Sequence, residues 1–138
     1  EVGRSSGVFK TEGFSNELTI DLTGQMLSDL IVIKGVVPAG ASFTGKAKLF
    51  VEEAFDLAAS SVVEVGEDGA EATNGVSLTE ANLESTGVKD VSSALAGEWA
   101  VNAQVPHSQL IGIAFSAGSV ADAAVGKAKL VLEYDKVA

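Results

Sequence analysis

Apolar and polar residues alternate within two stretches of the chain that resemble each other. Residues 30–54 read LIVIKGVVPAGASFTGKAKLFVEEA, and residues 110–135 read LIGIAFSAGSVADAAVGKAKLVLEYD. Each stretch has an apolar first run, a connection rich in Gly, Ala and Ser, and a second run that begins with GKAKL. Because successive side chains leave a β-strand on opposite faces, a period of two predicts strands. We therefore predict two similar β-hairpins, explained equally well by internal duplication and by the general likeness of amphipathic strands.

The second run of each hairpin has one apolar face and one face that carries lysine. The apolar faces are Ala47, Leu49 and Val51 in the first copy and Ala128, Leu130, Leu132 and Tyr134 in the second. The opposite faces are Lys46, Lys48, Phe50 and Glu52 in the first copy and Lys127, Lys129 and Glu133 in the second. Both runs are therefore predicted to bury one face and expose the other.

The rest of the chain predicts further short strands and one helix. The strands are expected at 17–22, 61–65, 88–91, 98–101 and 109–115, with a strand buried on both faces at 30–37. Residues 66–75, GEDGAEATNG, are expected to form an exposed loop. Ser77-Leu78-Thr79-Glu80 fits a capping box and predicts a helix from about Leu78 to Thr86, capped by Gly87. This pattern is typical of an all-β sandwich, barrel or jelly roll, and we expect an antiparallel β-sandwich or jelly roll with one short helix.

The chain is predicted to divide into an arm and one domain. Residues 1–16 form a flexible N-terminal arm whose main apolar residues are Val8, Phe9 and Phe14, and residues 17–138 form a single β-sandwich domain. Such an arm is either a loose tail or a tether that lies on a neighbouring subunit.

Composition excludes several classes of partner and chemistry. The net charge of −10 and the single arginine argue against nucleic acid, whose affinity comes largely from Lys and Arg, and equally against an anionic membrane surface. No apolar run approaches the roughly 20 residues that span a bilayer. The chain has no cysteine, which removes thiol catalysis, disulfides and Cys-ligated zinc.

Nothing in the sequence selects a catalytic, cofactor or metal site. His107 is the only histidine, and next to Pro106 it is expected at the surface rather than in a triad or a zinc site. The acidic residues Glu64, Glu67 and Asp68, with Glu71, do not have EF-hand spacing, so we interpret them as a solvated charge run. We therefore predict a protein that is not an enzyme and needs no cofactor.

Candidate interface residues come instead from lysine and aromatic positions. Lys46, Lys48, Lys127 and Lys129 could form a positive stripe that docks on an acidic protein surface, or could simply protect edge strands from pairing. Trp99 is either a core residue or an interface anchor. Phe9 and Phe14 are the candidate contacts of the arm.

The middle and the end of the chain resemble a known family. The segments FDLAASSVVEVGEDG (55–69), NGVSLTEANLESTGVKDVSS (74–93) and LAGEWA (95–100), with the final GKAKLVLEY strand, are similar to head decoration, or cement, proteins of tailed double-stranded DNA bacteriophages. The resemblance covers roughly residues 55–134 and rests on Ala/Gly/Val-rich strands, a short capped helix and an acidic surface.

The resemblance implies a structural role in a virion. It implies a β-sandwich or jelly-roll module without catalytic residues, made in the host cytoplasm and bound to the outer surface of the capsid, where it clamps neighbouring major capsid protein subunits. We expect a homo-oligomer, with a dimer favoured over a trimer. The alternatives are a phage fibre or adhesin, or another carbohydrate-binding β-sandwich, and, less favoured, a hydrolase with two carboxylates brought together by folding.

Overall fold

The computed structural model describes residues 16–37, 39–100 and 105–136, which form two antiparallel sheets packed face to face. The strands are β1 Asn16–Thr23, β2 Ile33–Val37, β3 Ala41–Glu53, β4 Asp56–Leu57, β5 Val62–Glu67, β6 Ala70–Thr79, β7 Gly87–Asp90, β8 Leu95–Ala96, β9 Gln109–Ala117, β10 Val120–Asp122 and β11 Lys127–Lys136. The helices are α1 Gly24–Asp29 and α2 Glu80–Leu83, with 3₁₀ turns at Ser92–Ala94 and Gly97–Trp99.

The order of the strands is that of a jelly roll. One sheet has the order β1-β11-β3-β7 and the other has the order β2-β9-β5-β6-β8, while β4 and β10 form a separate pair. All the strand pairs are antiparallel. Along the chain the longer strands pass back and forth between the two sheets, which is how a jelly roll winds two Greek keys around one core. The predicted fold class, an antiparallel sandwich or jelly roll, is confirmed.

The core lies between the sheets and is built by the alternation seen in the sequence. On β1, Ile20 and Leu22 face inward, and on β3 and β11 Leu49 and Leu130 are fully buried at directly paired positions. The opposite sheet contributes Val65 and its neighbours to the same cluster. The predicted faces of β3 and β11 are therefore confirmed, because only one face of each strand meets the other sheet.

The two similar stretches do not form hairpins, so that prediction was wrong. In each stretch the first run lies in one sheet and the second run lies in the other. The copies pair with each other instead, β2 with β9 and β3 with β11. Since every run has an apolar face, placing the two runs of a stretch on opposite sides of the core lets both faces meet across it.

The predicted strand 30–37 begins only at Ile33. The preceding segment forms α1, which begins where the Thr23 hydroxyl accepts a hydrogen bond from the Met26 backbone N–H at 3.2 Å. Leu30 ends the helix in the left-handed conformation with φ 52°. Leu30 is 50% exposed and Val32 is 45% exposed, and β2 is an outer strand among the described strands of its sheet. Burial on both faces is therefore wrong for this segment.

The predicted helix also changes its position. Thr79 and Asn82 form the capping box, and α2 covers only Glu80–Leu83. Ser77 stays in β6, opposite Glu64, so the expected cap two residues earlier is wrong. Extended pairing with β5 outweighs the local cap signal, since it also buries Leu78 completely.

One more sequence prediction needs correction near the second 3₁₀ turn. The strand expected at 98–101 is replaced by the turn Gly97–Trp99, and residues 101–104 lie outside the described residues. The predicted arm also lies outside them, with Phe9 and Phe14, except that Asn16 begins β1. No helix in the described ranges has the length and apolar character needed to cross a membrane.

The segment 66–75 is a hairpin with a large bulge rather than an exposed loop. Asp68 and Gly69 form the turn, Glu67 pairs with Ala70, and Gly66 then pairs with Gly75, so residues 71–74 are extra. Gly66 also pairs with Gly112 of β9, which places three glycines side by side on the outer face of the sheet. The extra residues fold back over this row, where a side chain would leave them no room.

We predict that Gly66→Ala lowers the free energy of unfolding by roughly 1–3 kcal/mol, as expected for overpacking. A Cβ at Gly66 would lie 2.3 Å from the Asn74 carbonyl oxygen, which is backbone and cannot move away easily. Gly112→Ala is the matched control, because its nearest atom, at 2.3 Å, is a carboxylate oxygen at the flexible end of Glu71. Urea unfolding of both variants measures the difference, and an equal loss in both would contradict this account.

Candidate protein interface

The four candidate lysines lie on the two central strands of the four-stranded sheet. Lys46 and Lys48 project from β3, Lys127 and Lys129 project from β11, and all four are exposed. The outer strands of this sheet, among those described, are β1 and β7. The interpretation of these lysines as edge protection is therefore wrong, because the strands that carry them have neighbours on both sides.

We call the outward side chains of this sheet the lysine face. It comprises Glu17, Thr19 and Asp21 of β1, Lys127, Lys129, Val131 and Glu133 of β11, Lys46, Lys48, Phe50 and Glu52 of β3, and Val88 and Asp90 of β7. Lysines and carboxylates are neighbours on the face, so it is not the positive stripe that one of the two interpretations of the sequence predicted.

Two rows across the sheet show how the charged and apolar residues are placed. In one row Asp21, Lys129, Phe50 and Val88 are paired in that order from β1 to β7. In the next row Asp90, Lys48, Val131 and Thr19 are paired in the opposite direction, from β7 to β1. Each row therefore begins with an aspartate next to a lysine and continues with an apolar residue.

Each end of the face carries one lysine and one glutamate next to each other. A shallow depression of about 320 Å³ is lined by Lys46 and Glu133 among others, and a second of about 200 Å³ is lined by Lys127 and Glu52. The Glu133 carboxylate accepts a hydrogen bond from the Thr44 hydroxyl at 2.8 Å. The lysines at both ends are thus close to negative charge as well.

Lys129 forms an ion pair with Asp21. Its Nζ donates to Asp21 Oδ1 at 2.9 Å, and the two side chains are 51% and 70% exposed. The hydrogen bond and the charge of Asp21 raise the pKa of Lys129, and the charge of Glu52 adds to the effect. Because the pair is open to solvent, it contributes little to stability and leaves both groups able to contact a partner.

Asp90 is held as a carboxylate by the residues that follow it. The Ser92 hydroxyl and the Ser92 backbone N–H, which donates to Asp90 Oδ1 at 2.9 Å, lower the pKa of Asp90. Burial opposes this shift, while the charge of Lys48 lowers the pKa further. Asp90 is therefore a fixed acceptor at the border of the lysine face, next to a cation.

A small apolar centre lies among these charges. Phe50 and Val131 are half-buried at diagonal positions on adjacent strands, and Val88, 61% exposed, is paired with Phe50. Protein interfaces commonly combine an apolar centre with a polar rim. The lysine face has this composition, although each of its parts is modest in size.

Trp99 does not belong to any surface site, because it is fully buried. Its ring packs on Phe43 with a centroid distance of 5.4 Å, and its Nε1 donates to Gln109 Oε1 at 3.0 Å. Gln109 in turn donates to Glu98 at the rim of the core. The interpretation as an interface anchor is thus corrected, and Trp99 is the core residue that the other interpretation predicted.

The remaining polar candidates are held by hydrogen bonds within the domain. His107 is exposed, as predicted, and its Nε2 lies 3.1 Å from Glu67 Oε2. Glu64 is only 6% exposed and accepts a hydrogen bond from the Ser77 hydroxyl at 2.6 Å, so the interpretation of this segment as a solvated charge run is wrong for Glu64. Within the described ranges no group of three or more His, Asp or Glu side chains is arranged to hold a metal ion.

Sequence reasoning found the lysines of the face but not their partners. Asp21 and Asp90 were visible as polar positions in predicted strands, yet nothing local joins them to Lys129 and Lys48. The pairing depends on which strands are neighbours, and a jelly roll makes neighbours of strands that are distant in sequence.

A jelly roll of similar size occurs in a solved structure. The chain is similar to a chain in a structure described as the capsid of Ralstonia phage GP4, with a TM-score of 0.53 and 18% sequence identity. The match covers 98% of this chain and 92% of that chain. No protein-family model matches the sequence, and no curated protein sequence matches it. At this identity the similarity establishes a shared fold.

We predict that Ser92→Ala raises the pKa of Asp90 toward its ordinary value, since it removes the largest cause of the shift, and that Lys48→Gln raises it less. NMR titration of the side-chain carboxyl carbons measures both. Because the folded-state pKa is lowered, the stabilisation from Asp90 is present above its ordinary pKa and is lost as the pH falls through the folded value. An unchanged Asp90 pKa in a folded Ser92→Ala protein would contradict the assignment.

Proposed function

We propose that this protein is a non-enzymatic structural component of a phage virion, bound to the outer surface of the capsid. In this role it stabilises the shell by clamping neighbouring subunits of the major capsid protein. The observation that carries the proposal is the jelly-roll match to a chain of a phage capsid structure, which covers 98% of this chain and 92% of that one. The match involves nearly the whole of both chains, which are of similar length.

The lysine face and residues 1–16 are the proposed contacts with the shell. The face offers exposed cations and anions around the apolar residues Phe50 and Val131, and the arm would contribute Phe9 and Phe14. Repeated modest contacts are sufficient on a shell, because subunits linked in a homo-oligomer bind neighbouring lattice points at a high effective concentration. A dimer is favoured over a trimer, since two-fold symmetry is the commonest in homo-oligomers.

The tryptophan and the tyrosine give little support to the carbohydrate-binding alternative. Trp99 is fully buried, and Tyr134 is half-buried with its ring 6.1 Å from that of Phe43. Sugar-binding surfaces usually stack aromatic rings on the sugar, and these two rings pack within the domain instead.

The first test is whether the protein sediments with purified particles of its source phage, and in how many copies relative to the most abundant shell protein. We expect a copy number of the same order as that of the shell protein, because a clamp is needed at every equivalent position. A few copies per particle would contradict the proposal in favour of a fibre or adhesin, and absence from particles would reject a virion role.

We predict that replacing Lys46, Lys48, Lys127 and Lys129 together by Ser weakens binding to stripped shells roughly tenfold or more. Each exposed charge pair contributes about 0.2–1 kcal/mol, and about 1.4 kcal/mol corresponds to a factor of ten. Co-sedimentation at increasing protein concentration measures the affinity.

Replacing the same four lysines by Arg is the matched control, because it keeps the charge and should preserve most of the binding. Thermal unfolding checks that both variants fold. Unchanged binding of the folded Ser variant would remove the lysine face from the proposed contacts.

A further inference from the structure

We propose that the lysine face binds across the junction between two identical protein subunits, contacting the same surface on each of them. The inference rests on the proposed function, since it takes the two subunits to be neighbouring copies of the major capsid protein. The face has a near two-fold symmetry. This symmetry is visible only when the sequence repeat and the strand order are considered together.

The centre of the symmetry lies between β3 and β11. The GKAKL repeat aligns Lys48 with Lys129 and Phe50 with Val131. In the antiparallel register Lys129 is paired with Phe50, and Val131 is paired with Lys48. A rotation of 180° about an axis perpendicular to the sheet therefore exchanges the two pairs.

The symmetry continues beyond the repeat. The rotation also exchanges Asp21 of β1, which is paired with Lys129, and Asp90 of β7, which is paired with Lys48. These aspartates occur in unrelated segments, NELTIDLT and GVKD, so their equivalence comes from the fold and not from a repeated sequence. Each half of the face thus offers an aspartate, a lysine and an apolar side chain in the same order.

The ends of the face are equivalent in the sequence repeat but not in the strand register. Lys46 and Lys127 are equivalent in the repeat, as are Glu52 and Glu133. The register shifts between Lys127 and Ala128 and between Leu132 and Tyr134, so the rotation relates the two central rows and does not extend to these end residues. A partner surface that fits one central row therefore fits the other central row after half a turn.

This arrangement specifies the chemistry of the partner. A surface with one sign of charge would place like charges against either the lysines or the aspartates, which weakens binding. The fitting surface on each partner subunit carries a carboxylate for the lysine, a donor for the aspartate and an apolar residue for Phe50 or Val131. Two copies of one protein related by a two-fold axis present such a surface twice in the required orientation. One protein chain then bridges two subunits, and the two linked contacts strengthen each other.

The position and number of chains on the shell test the inference. A cryo-EM reconstruction of the source particles should show this sheet facing the shell on a local two-fold axis, with one chain for every two shell subunits. One chain per shell subunit, or a position away from local two-fold axes, would overturn the inference while leaving the proposed function intact. Absence of the chain from the particles would overturn both.

Matched variants test the equivalence of the two halves. Lys48→Gln and Lys129→Gln should weaken binding to stripped shells by the same factor, within about twofold, and the double variant should show the product of the two effects, as expected for independent contacts. Lys89→Gln is the control, because it removes one lysine charge from β7 at a position paired with the buried Leu49 rather than on the lysine face. It should bind like the unchanged protein.

The inference fails if only one of the two substitutions weakens binding. It also fails if the free protein forms dimers that Lys48→Gln and Lys129→Gln dissociate, since the face would then belong to a contact between copies of this chain. Sedimentation velocity of each variant measures this self-association, and thermal unfolding confirms that each variant is folded.

Discussion

The antiparallel pairing of β3 with β11 is the constraint on which the rest of the structure depends. It places Leu49 opposite Leu130 at the centre of the core, and it sets which outward side chains are neighbours. Because successive residues alternate between the two faces of a strand, a shift of the register by one residue would move lysines into the core and leucines into solvent. The core and the candidate interface are therefore fixed by one set of backbone hydrogen bonds, so neither can change its register without the other.

Alternation was enough to predict the fold class and the strands with one clear apolar face. It could not predict which strands are neighbours, because pairing in a jelly roll joins distant segments, and so the hairpins and the edge position of the lysines were wrong. Local signals also competed with tertiary pairing. Ser77 was predicted as the helix cap, but it pairs with β5 as part of β6, and Thr79 caps α2 instead.

The sequence predicted that the lysines of the candidate interface are exposed. It did not predict which residues are their neighbours. Lys48 and Lys129 are exposed because they alternate with buried residues along their strands. Their aspartate neighbours, however, come from β7 and β1. The face has balanced charge rather than the positive stripe of one interpretation, which changes the kind of surface that can bind it. The two similar GKAKL runs lie side by side in the sheet and point in opposite directions, so their central residues are related by an approximate two-fold rotation.

The central position of β11 has a consequence for how the chain folds. β11 lies between β1 and β3, although it is synthesised well after both of them. Until β11 emerges, the leucines of β1 and β3 lack the strand that joins them, and the four-stranded sheet cannot close. Folding dominated by such distant pairings is slow compared with that of helical proteins. The domain is therefore expected to complete its folding only after β11 has left the ribosome, and a chain truncated before β11 should be prone to aggregation through its unpaired strands.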